Sequence, residues 1–409
     1  MRKYLIGTAL GGTLAATGAY ATDLEVTHWW TSGGEAAAVA ELAKAFEAQT
    51  EHKWVDGAIA GSGGTARPIM ISRITGGDPM GATQFNHGRQ AEELVEAGLM
   101  QDLTELAEKE GWKDIVKPAS LLDACTLDGR IYCVPVNIHS AQWLWLSNKA
   151  FEEAGLEVPK DWNEFVEAAP KLREAGIQPL ALGGQPWQAS LAFGTILTSV
   201  GGLELRDKVE VQRDVEAARG EEMAKVWEAA ANARELAKGS NVQDWNQATN
   251  MVITDEAAGQ IMGDWAQGEF QVANEAAGED YTCLPGLGLN EFISTGGDAF
   301  YFPKSDDPEI TEAQMALASV MINPETQVAF NLAKGSLPVR GDVDLSAAND
   351  CMKKGLDILA AGNIIPGADE IFSPDTQNQL NDLQTEFWTT DMPAEEAQQR
   401  YADIIESAN

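Results

Sequence analysis

Short apolar runs alternate along the chain with longer segments in which apolar residues recur at helical spacing. Leu24–Trp29 and Lys53–Ala58 are predicted strands, and the alanine-rich segment Glu35–Gln49 between them is a predicted amphipathic helix. A strand, a helix and a strand in this order form a βαβ unit. We therefore predict an α/β fold with mostly parallel sheets flanked by helices.

The same alternation continues to the end of the chain. The strand Ile131–Val136 leads into Asn137-Ile138-His139, and a second strand, Trp143–Leu146, follows directly, so the first crossing between domains is predicted there. The other predicted strands are Ala82–Phe85, Pro179–Leu182, Thr282–Leu284 and Ala299–Phe302. The other predicted helices are Thr65–Thr75, Arg89–Glu96, Leu103–Glu110, Lys149–Ala154, Trp162–Ala175, Ala189–Val200, Asp214–Lys238, Gln247–Thr254, Ala266–Glu275, Cys351–Ala361 and Thr376–Glu406.

The first 21 residues have the three parts of a secretory signal peptide. Arg2 and Lys3 precede the apolar stretch Leu5–Thr17, and Ala19-Tyr20-Ala21 is a small-residue cleavage site. The mature chain is expected to start at Thr22 and to be exported to the periplasm. No later stretch approaches the roughly 20 apolar residues that a membrane-spanning helix needs, so the mature protein is expected to be soluble.

Length and charge narrow the function further. A chain of 409 residues, even without its signal peptide, exceeds what one hydrophobic core usually serves, so two domains are expected. The 63 acidic and 28 basic side chains give a net charge of −35, and loss of the two basic residues of the signal peptide would make it −37. Such a surface repels nucleic acid and anionic lipid, so neither is expected as a partner.

Four cysteines in an exported chain predict disulfides rather than a metal site. Cys125 and Cys133 flank Asp128-Gly129, a dipeptide typical of hairpin turns, so the two strands would place their thiols opposite each other. We predict the pairs Cys125–Cys133 and Cys283–Cys351.

Motifs for enzymes are weak. The segment Gly61–Ala66 fits the GxGxxA pattern of a dinucleotide loop, but a glycine-rich turn between a strand and a helix is the better interpretation in an exported protein. Ala60 stands where a nucleophile elbow needs glycine. The histidines lack metal-site spacing, so no catalytic residue, metal or cofactor is predicted; they are His28, His52, His87 and His139.

The tryptophans point to a ligand. Twelve Trp against six Tyr is a skewed ratio, and Trp29-Trp30, Trp187 and Trp265 stand beside glycine turns. An indole ring can pack on the apolar face of a sugar, while polar side chains bind its hydroxyls. Core packing is the alternative for any one of them. Because adjacent strand residues point to opposite faces, one of Trp29 and Trp30 can pack inside while the other faces a cleft.

Seven segments in this order resemble the periplasmic solute-binding proteins of ABC sugar transporters, and among them the glucose/mannose type. The resemblance implies a two-lobed periplasmic-binding-protein fold of type II, with a multi-strand hinge and a ligand cleft that closes. The predicted lobes are residues 22–136 plus 296–345 and residues 137–295 plus 346–409. The segments are HWWTSGGE (28–35), ATQFNHGRQ (82–90), VPVNIHS (134–140), WNEFVEAAPKLREAGIQPLALGG (162–184), MGDWAQGEF (262–270), GGDAFYFPK (296–304) and KGSLPVRGD (334–342).

The resemblance also assigns sugar-binding residues. Trp265 corresponds to a stacking tryptophan, Asp298 to an acceptor of hydroxyl hydrogens and Lys334 to a donor. Asn86 departs from the glucose binders, which carry His or Lys there, and their C-terminal histidine is absent, so another hexose or a glucoside is an alternative. The other implied contacts are Trp29, Trp30, Glu35 and Gln84, with His139, Trp245 and Arg340 in matching segments.

The resemblance thus implies a monomeric, non-catalytic receptor that binds a glucose-like monosaccharide and delivers it to the permease subunits of an ABC importer. A binding protein for a polyol or another small solute remains an alternative. An exported glycoside hydrolase is a further one, and it would need two carboxylates facing each other across the cleft.

Overall fold

The computed structural model describes residues 21–408. The predicted signal peptide lies outside the described residues, apart from Ala21. The strands are β1 Asp23–His28, β2 Lys53–Ala58, β3 Ala82–Asn86, β4 Thr126–Leu127, β5 Arg130–Ile131, β6 Cys133–Pro135, β7 Trp143–Ser147, β8 Gln178–Ala181, β9 Ala257–Met262, β10 Tyr281–Pro285, β11 Ile293–Ser294, β12 Asp298–Tyr301 and β13 Ile364–Ile365.

Helices account for most of the remaining chain. They are α1 Gly33–Gln49, α2 Ser62–Thr75, α3 Glu92–Glu96, α4 Thr104–Glu110, α5 Trp112–Ile115, α6 Ser120–Asp123, α7 Asn148–Glu153, α8 Trp162–Glu174, α9 Pro186–Ile196, α10 Leu203–Arg206, α11 Val215–Ala218, α12 Glu221–Ala237, α13 Trp245–Ile253, α14 Ala266–Val272, α15 Pro308–Ile322, α16 Pro324–Lys334, α17 Asp350–Ala361, α18 Ala368–Ile371, α19 Pro374–Thr389 and α20 Ala394–Ser407.

Two sheets, each with its own helices, divide the molecule into two lobes. The first lobe contains the sheet β2-β1-β3-β12-β6, on which α1, α2 and α15 pack, and α16 packs against α1. The second contains the sheet β10-β7-β9-β8, covered by α8, α9, α12 and α13. Each lobe has its own core of buried apolar side chains.

The sheets are mixed, and the prediction of mostly parallel strands is wrong. In the first sheet β1 pairs in parallel with β2 and β3, whereas β12 runs antiparallel to both β3 and β6. In the second sheet only β8 and β9 are parallel. The reason is the path of the chain: β12 enters the first sheet on return from the second lobe, not through a βαβ crossover.

The chain passes between the lobes three times, after β6, after β10 and after α16. Short antiparallel and parallel pairings tie these passages together: Ile138 pairs with Leu337, and β11 pairs with β13. Five buried residues of the predicted second lobe belong to the first core; they are Ile138, Ile293, Ala348, Met352 and Ile358. The predicted lobe boundaries remain a prediction.

Both predicted disulfides are confirmed. Cys125 and Cys133 are joined across the small hairpin β4–β5, with their Cα atoms 5.0 Å apart. Cys283 on β10 is joined to Cys351 on α17, with a Cα separation of 6.0 Å. The second bridge therefore fixes a C-terminal helix to the sheet of the second lobe.

Several helices differ from their predictions. Two long helices, α15 and α16, and four helices of one turn, α5, α6, α10 and α18, are not predicted by the hydrophobic pattern at all. The predicted helix Asp214–Lys238 is broken before Glu221, where Gly220 is the N-cap residue of α12. The predicted helix Thr376–Glu406 is likewise divided, because Pro393 precedes Ala394 and begins a new helix, α20.

Candidate functional site

The two adjacent tryptophans at the end of β1 have different environments. Trp30 is 1 % exposed and packs in the first core, with ring centroids 5.6 Å from Phe300 and 5.3 Å from Phe330. Trp29 is only partly buried, and its backbone N–H donates to Oε1 of Gln84 at 3.0 Å. Its ring lies beside Gly63 at the start of α2, 3.5 Å from where a Cβ on that glycine would be. Of the two indoles, only that of Trp30 is enclosed in the core.

Glu35 and Lys334 form a buried ion pair next to Trp30. Lys334 Nζ donates to Glu35 Oε1 at 2.9 Å and lies 5.4 Å from the centroid of the Trp30 ring. The helices explain the meeting: Glu35 stands in the first turn of α1, where it completes a capping box with Ser32, and Lys334 is the last residue of α16. The pair is thus an internal contact between the start of α1 and the end of α16.

Asp298 is the centre of a polar network on β3 and β12. Its Oδ1 accepts from Gln84 Nε2 at 2.6 Å, and its Oδ2 accepts from Asn137 Nδ2 at 2.9 Å. The backbone N–H of Asp298 donates to Asn137 Oδ1 at 2.8 Å. All three side chains are buried, so each polar atom that a ligand meets here is already oriented by the protein.

His139 bridges two buried carboxylates from different lobes. Its Nδ1 lies 2.7 Å from Asp264 Oδ1, and its Nε2 lies 2.8 Å from Asp298 Oδ2. Burial disfavours the imidazolium, but the two carboxylates outweigh that cost and raise the pKa of His139 to about 9. Burial also acts on Asp298, yet the neighbouring His139 lowers the pKa of this carboxyl to about 2. At neutral pH the bridge is an imidazolium between the lobes.

Trp265 closes the other side of this bridge. Its ring meets that of His139 edge to face at 4.9 Å and lies 6.2 Å from Trp187 and 6.4 Å from Trp245. Trp245 itself is buried in the second lobe, whereas Trp187 and Trp265 are partly buried. The second lobe thus packs a cluster of three tryptophans against His139, which contacts Asp298 of the first lobe.

The side chain of Asn86 is hydrogen-bonded to a different carboxylate, that of Asp369. Its Nδ2 donates to Asp369 Oδ2 at 2.5 Å. Asp369 Oδ1 accepts from Gln90 Nε2 at 2.8 Å and from Gln377 Nε2 at 2.9 Å. Asn86 pairs with Asp298 in the register of β3 and β12, so the amide and carboxylate groups around Asp369 adjoin the polar network.

Arg340 is separate from the other predicted ligand residues. Its guanidinium donates to both carboxylate oxygens of Asp342, at 2.8 and 2.7 Å, and to the carbonyl of Ile322 at 2.9 Å. Those contacts place it at the junction of α15 and α16. The structure does not bring Arg340 to the residues around Asp298.

Contacts between the lobes involve residues that the sequence did not single out. The N–H of Gly34, in the first turn of α1, donates to Glu269 Oε1 on α14 at 2.7 Å. Ser62 Oγ at the start of α2 donates to Gln185 Oε1 at 3.3 Å. Asn137 and Asp264, which orient His139 and Asp298, were not predicted as site residues either, although both lie in the segments that carry the family resemblance. Each is a polar residue next to apolar ones, and this is the signal that could have identified it.

Neither a membrane span nor a metal site is found between residues 21 and 408. No helix in that range combines the length and apolar character needed to cross a bilayer. In the same range no three His, Cys, Asp or Glu side chains are grouped so that they could hold a metal ion.

Comparison with known proteins agrees with this architecture. The family described as bacterial extracellular solute-binding protein matches residues 30–328. A probable sugar-binding periplasmic protein of Rhizobium meliloti (strain 1021) is 37% identical over 367 residues, which cover 89% of this chain and 87% of the relative. One of Mesorhizobium japonicum is 38% identical over 368 residues, with 89% and 87% covered.

Solved structures share the whole fold. A chitin oligosaccharide binding protein has a TM-score of 0.77 at 17% identity and covers 95% of this chain and 99% of its own. The bacterial solute receptor AcbH has a TM-score of 0.76 at 19% identity, with 94% and 98% covered. The predicted two-lobed fold of type II is confirmed. The chain belongs to the bacterial extracellular solute-binding protein family.

Proposed function

We propose that this protein is the sugar-binding subunit of an ABC importer, and that it holds a neutral monosaccharide between its two lobes and delivers it to the membrane permease. The proposal depends mainly on one observation: His139 contacts both the buried carboxylate Asp298 of the first lobe and the ring of Trp265 from the second. Trp29 is connected to the same carboxylate through Gln84. An indole packs on the apolar face of a pyranose, and oriented polar groups bind its hydroxyls.

The relatives support a sugar as the ligand. The Rhizobium and Mesorhizobium proteins are described as probable sugar-binding periplasmic proteins. AcbH is described as having an exclusive preference for β-D-galactopyranose, so galactose stands beside glucose and mannose as a candidate. Export to the periplasm and action as a monomer belong to the same proposal.

Most of the candidate ligand residues lie at this interface. Glu35, Gln84, Asp298 and Lys334 come from the first lobe, and Trp265 from the second, with His139 between them. A ligand that touches both lobes gains its full binding energy only when they are closed, so it shifts the population towards closure.

Isothermal titration calorimetry with D-glucose, D-mannose, D-galactose and simple glucosides tests the proposal. We expect at least one of them to bind with micromolar or tighter affinity, and Trp265→Ala to weaken that binding. A Trp162→Ala variant, which changes a buried tryptophan on α8 in the second lobe, is the matched control for lost stability. The proposal would be contradicted if none of these sugars bound, or if Trp265→Ala bound sugar with wild-type affinity. Turnover of aryl glycosides would favour a glycoside hydrolase instead.

A further inference from the structure

The backbone on both sides of Trp29 is held by hydrogen bonds to side chains. The N–H of Trp29 donates to Oε1 of Gln84 at 3.0 Å, and Gln84 in turn donates to Asp298. The next N–H along the chain, that of Trp30, donates to Nδ1 of His28 at 3.2 Å. Because these two peptide groups flank the Cα atom of Trp29, the two hydrogen bonds together fix its backbone dihedral angles.

The hydrogen bonds of His28 identify which ring nitrogen carries the proton. Nδ1 accepts from a backbone N–H, so it is unprotonated, and Nε2 carries the hydrogen that it donates to Asp56 Oδ1 at 2.7 Å. The side chain of His28 is 1 % exposed, whereas that of Asp56, on the neighbouring strand β2, is 59 % exposed. Asp56 therefore connects a buried imidazole to solvent.

A proton on Nδ1 would remove the acceptor of the Trp30 N–H. An imidazolium has two donors and no acceptor, so this buried N–H would be left without a partner. The charged groups that face the ring are Asp56 on β2, Glu35 on α1 and Lys334 on α16. Burial lowers the pKa of His28 and outweighs the two carboxylates, which raise it, so the ring takes up a proton only below pH 6.5.

We infer that His28 is a positioning residue for Trp29, and that the loss of its Nδ1 acceptor on protonation weakens sugar binding in acid. This inference rests on the proposed function and adds to it a regulation of the same site by pH. In the proposed function Trp29 packs on the sugar, so a change in its backbone displaces the ring from the ligand. Since the sugar-bound form needs the neutral imidazole, proton uptake and sugar binding oppose each other.

Two amide variants of His28 test the inference, because each of them reproduces one ring nitrogen. In His28→Asn the Oδ1 atom can take the place of Nδ1 and accept from the Trp30 N–H at every pH. In His28→Gln the longer amide reaches the place of Nε2 and can bind Asp56, but the Trp30 N–H has no acceptor.

Calorimetry at pH 7.5 and pH 5 measures the effect, with the best-binding of D-glucose, D-mannose and D-galactose as the probe. We expect the dissociation constant of wild type to rise about 5- to 10-fold at pH 5, the loss typical of one hydrogen bond. His28→Asn should bind like wild type at pH 7.5 and keep that affinity at pH 5. His28→Gln should bind about 10-fold more weakly than wild type at pH 7.5.

The difference between wild type and His28→Asn assigns the pH dependence to His28. Two other charged groups of the site do not change between these pH values, because the pKa of His139 is about 9 and that of Asp298 about 2. His52→Asn is the matched control. It changes a histidine that stacks on Phe46, at a centroid distance of 6.0 Å, and its affinity at both pH values should equal that of wild type.

Asp56→Asn keeps the inference testable if the His28 variants do not fold, as judged by circular dichroism. The substituted side chain is more than half exposed and keeps an oxygen that accepts from Nε2 of His28. It loses the charge that favours the imidazolium, so we expect the affinity at pH 5 to be closer to the affinity at pH 7.5 than in wild type.

Four results would overturn the inference. Three of them leave the proposed function standing: equal affinity of wild type at the two pH values, the same loss at pH 5 in wild type and in the His28→Asn or Asp56→Asn protein, and equal affinity of the two His28 variants at pH 7.5. The fourth is the absence of binding by all three sugars at either pH, which would remove the proposed function and the inference together.

Discussion

Trp29 and Trp30 are neighbours in the chain but have different physical roles. Alternation along a strand predicts that one faces the core and the other does not. It does not predict which one, because that depends on the packing of Phe300 and Phe330, which are about 270 and 300 residues away in the sequence. Trp30 lies in the core of the first lobe, whereas Trp29 is only partly buried and lies beside Gly63 at the start of α2.

The first prediction separates stability from binding at these two positions. Trp30→Ala removes a fully buried indole and is expected to lower the free energy of unfolding by about 3 to 5 kcal/mol. Trp29→Ala is expected to cost much less stability but to weaken sugar binding by about 1 to 3 kcal/mol. Urea unfolding and calorimetry on both variants measure the two quantities. Equal loss of stability in the two variants would contradict the assignment.

His139 gives the second prediction, a loss of stability at alkaline pH. Its folded-state pKa, about 9, is above the ordinary value of 6.5, so its stabilisation is complete below pH 6.5 and is lost as the pH rises through 9. The loss is on the order of 3 kcal/mol. Urea unfolding at pH 6, 7.5 and 9 should show this decline in wild type and a flatter profile in His139→Gln. Parallel profiles would exclude His139 as the cause.

The sequence could predict which residues belong to the candidate site, but not which of them contact each other. The sequence indicated Glu35, Lys334 and Asp298 through a family resemblance, but their partners follow from tertiary contacts. Glu35 meets Lys334 across 299 positions, and His139 meets Asp264 across 125. Because no local pattern encodes such contacts, neither the buried ion pair nor the imidazolium bridge could be predicted from the chain.

At the scale of elements, the local hydrophobic pattern predicted most strands. It failed to predict helices that are buried on more than one face. Ala82–Phe85 and Ala299–Phe302 were placed within one residue of β3 and β12. The helices α15 and α16 were missed, because α15 packs both on the sheet and on other helices and shows little contrast between its faces. Their starts were visible: Asp307-Pro308 and Asn323-Pro324 place a capping residue before a first-turn proline.

The N-terminus of α1 gives the third prediction, which concerns closure. Glu269 from α14 accepts from the N–H of Gly34, where the helix dipole favours a carboxylate. Glu269→Ala is expected to weaken sugar binding about fivefold, since this contact between the lobes contributes about 1 kcal/mol. Calorimetry measures the loss, and small-angle scattering with sugar should show a less compact protein.

Gly34→Ala tests the same contact between the lobes by adding a methyl group that would clash with α14. A Cβ on Gly34 would lie 2.8 Å from the Gly268 carbonyl oxygen on α14, so this variant should close less completely than wild type. Alanine is a better helix former than glycine, so the stability of α1 itself should not fall. Wild-type affinity in both variants would show that the α1–α14 contact does not contribute to closure.

At the scale of the whole molecule, the two disulfides differ in the length of chain that they close. Cys125 and Cys133 are 8 residues apart, whereas Cys283 and Cys351 are 68 apart. In the chain-entropy model, a longer loop restricts the unfolded chain more. The pairing was predictable because a hairpin turn lies inside the first loop and only two cysteines remain for the second.

The fourth prediction follows from that difference. Replacement of Cys283 and Cys351 by serine should lower the free energy of unfolding by about 4 kcal/mol, against about 2.5 kcal/mol for Cys125 and Cys133. Urea unfolding of the two double variants under non-reducing conditions measures both values. A larger loss on removal of the Cys125–Cys133 bridge would contradict the ranking.

The position of β12 has a consequence for how the protein is made. This strand is residues 298–301, yet it is an internal strand of the first sheet, between β3 and β6. A nascent chain that ends before residue 298 lacks the partner of both strands and leaves their edges unpaired. The first sheet therefore cannot be completed until the ribosome has synthesised all four strands of the second sheet, β7 to β10.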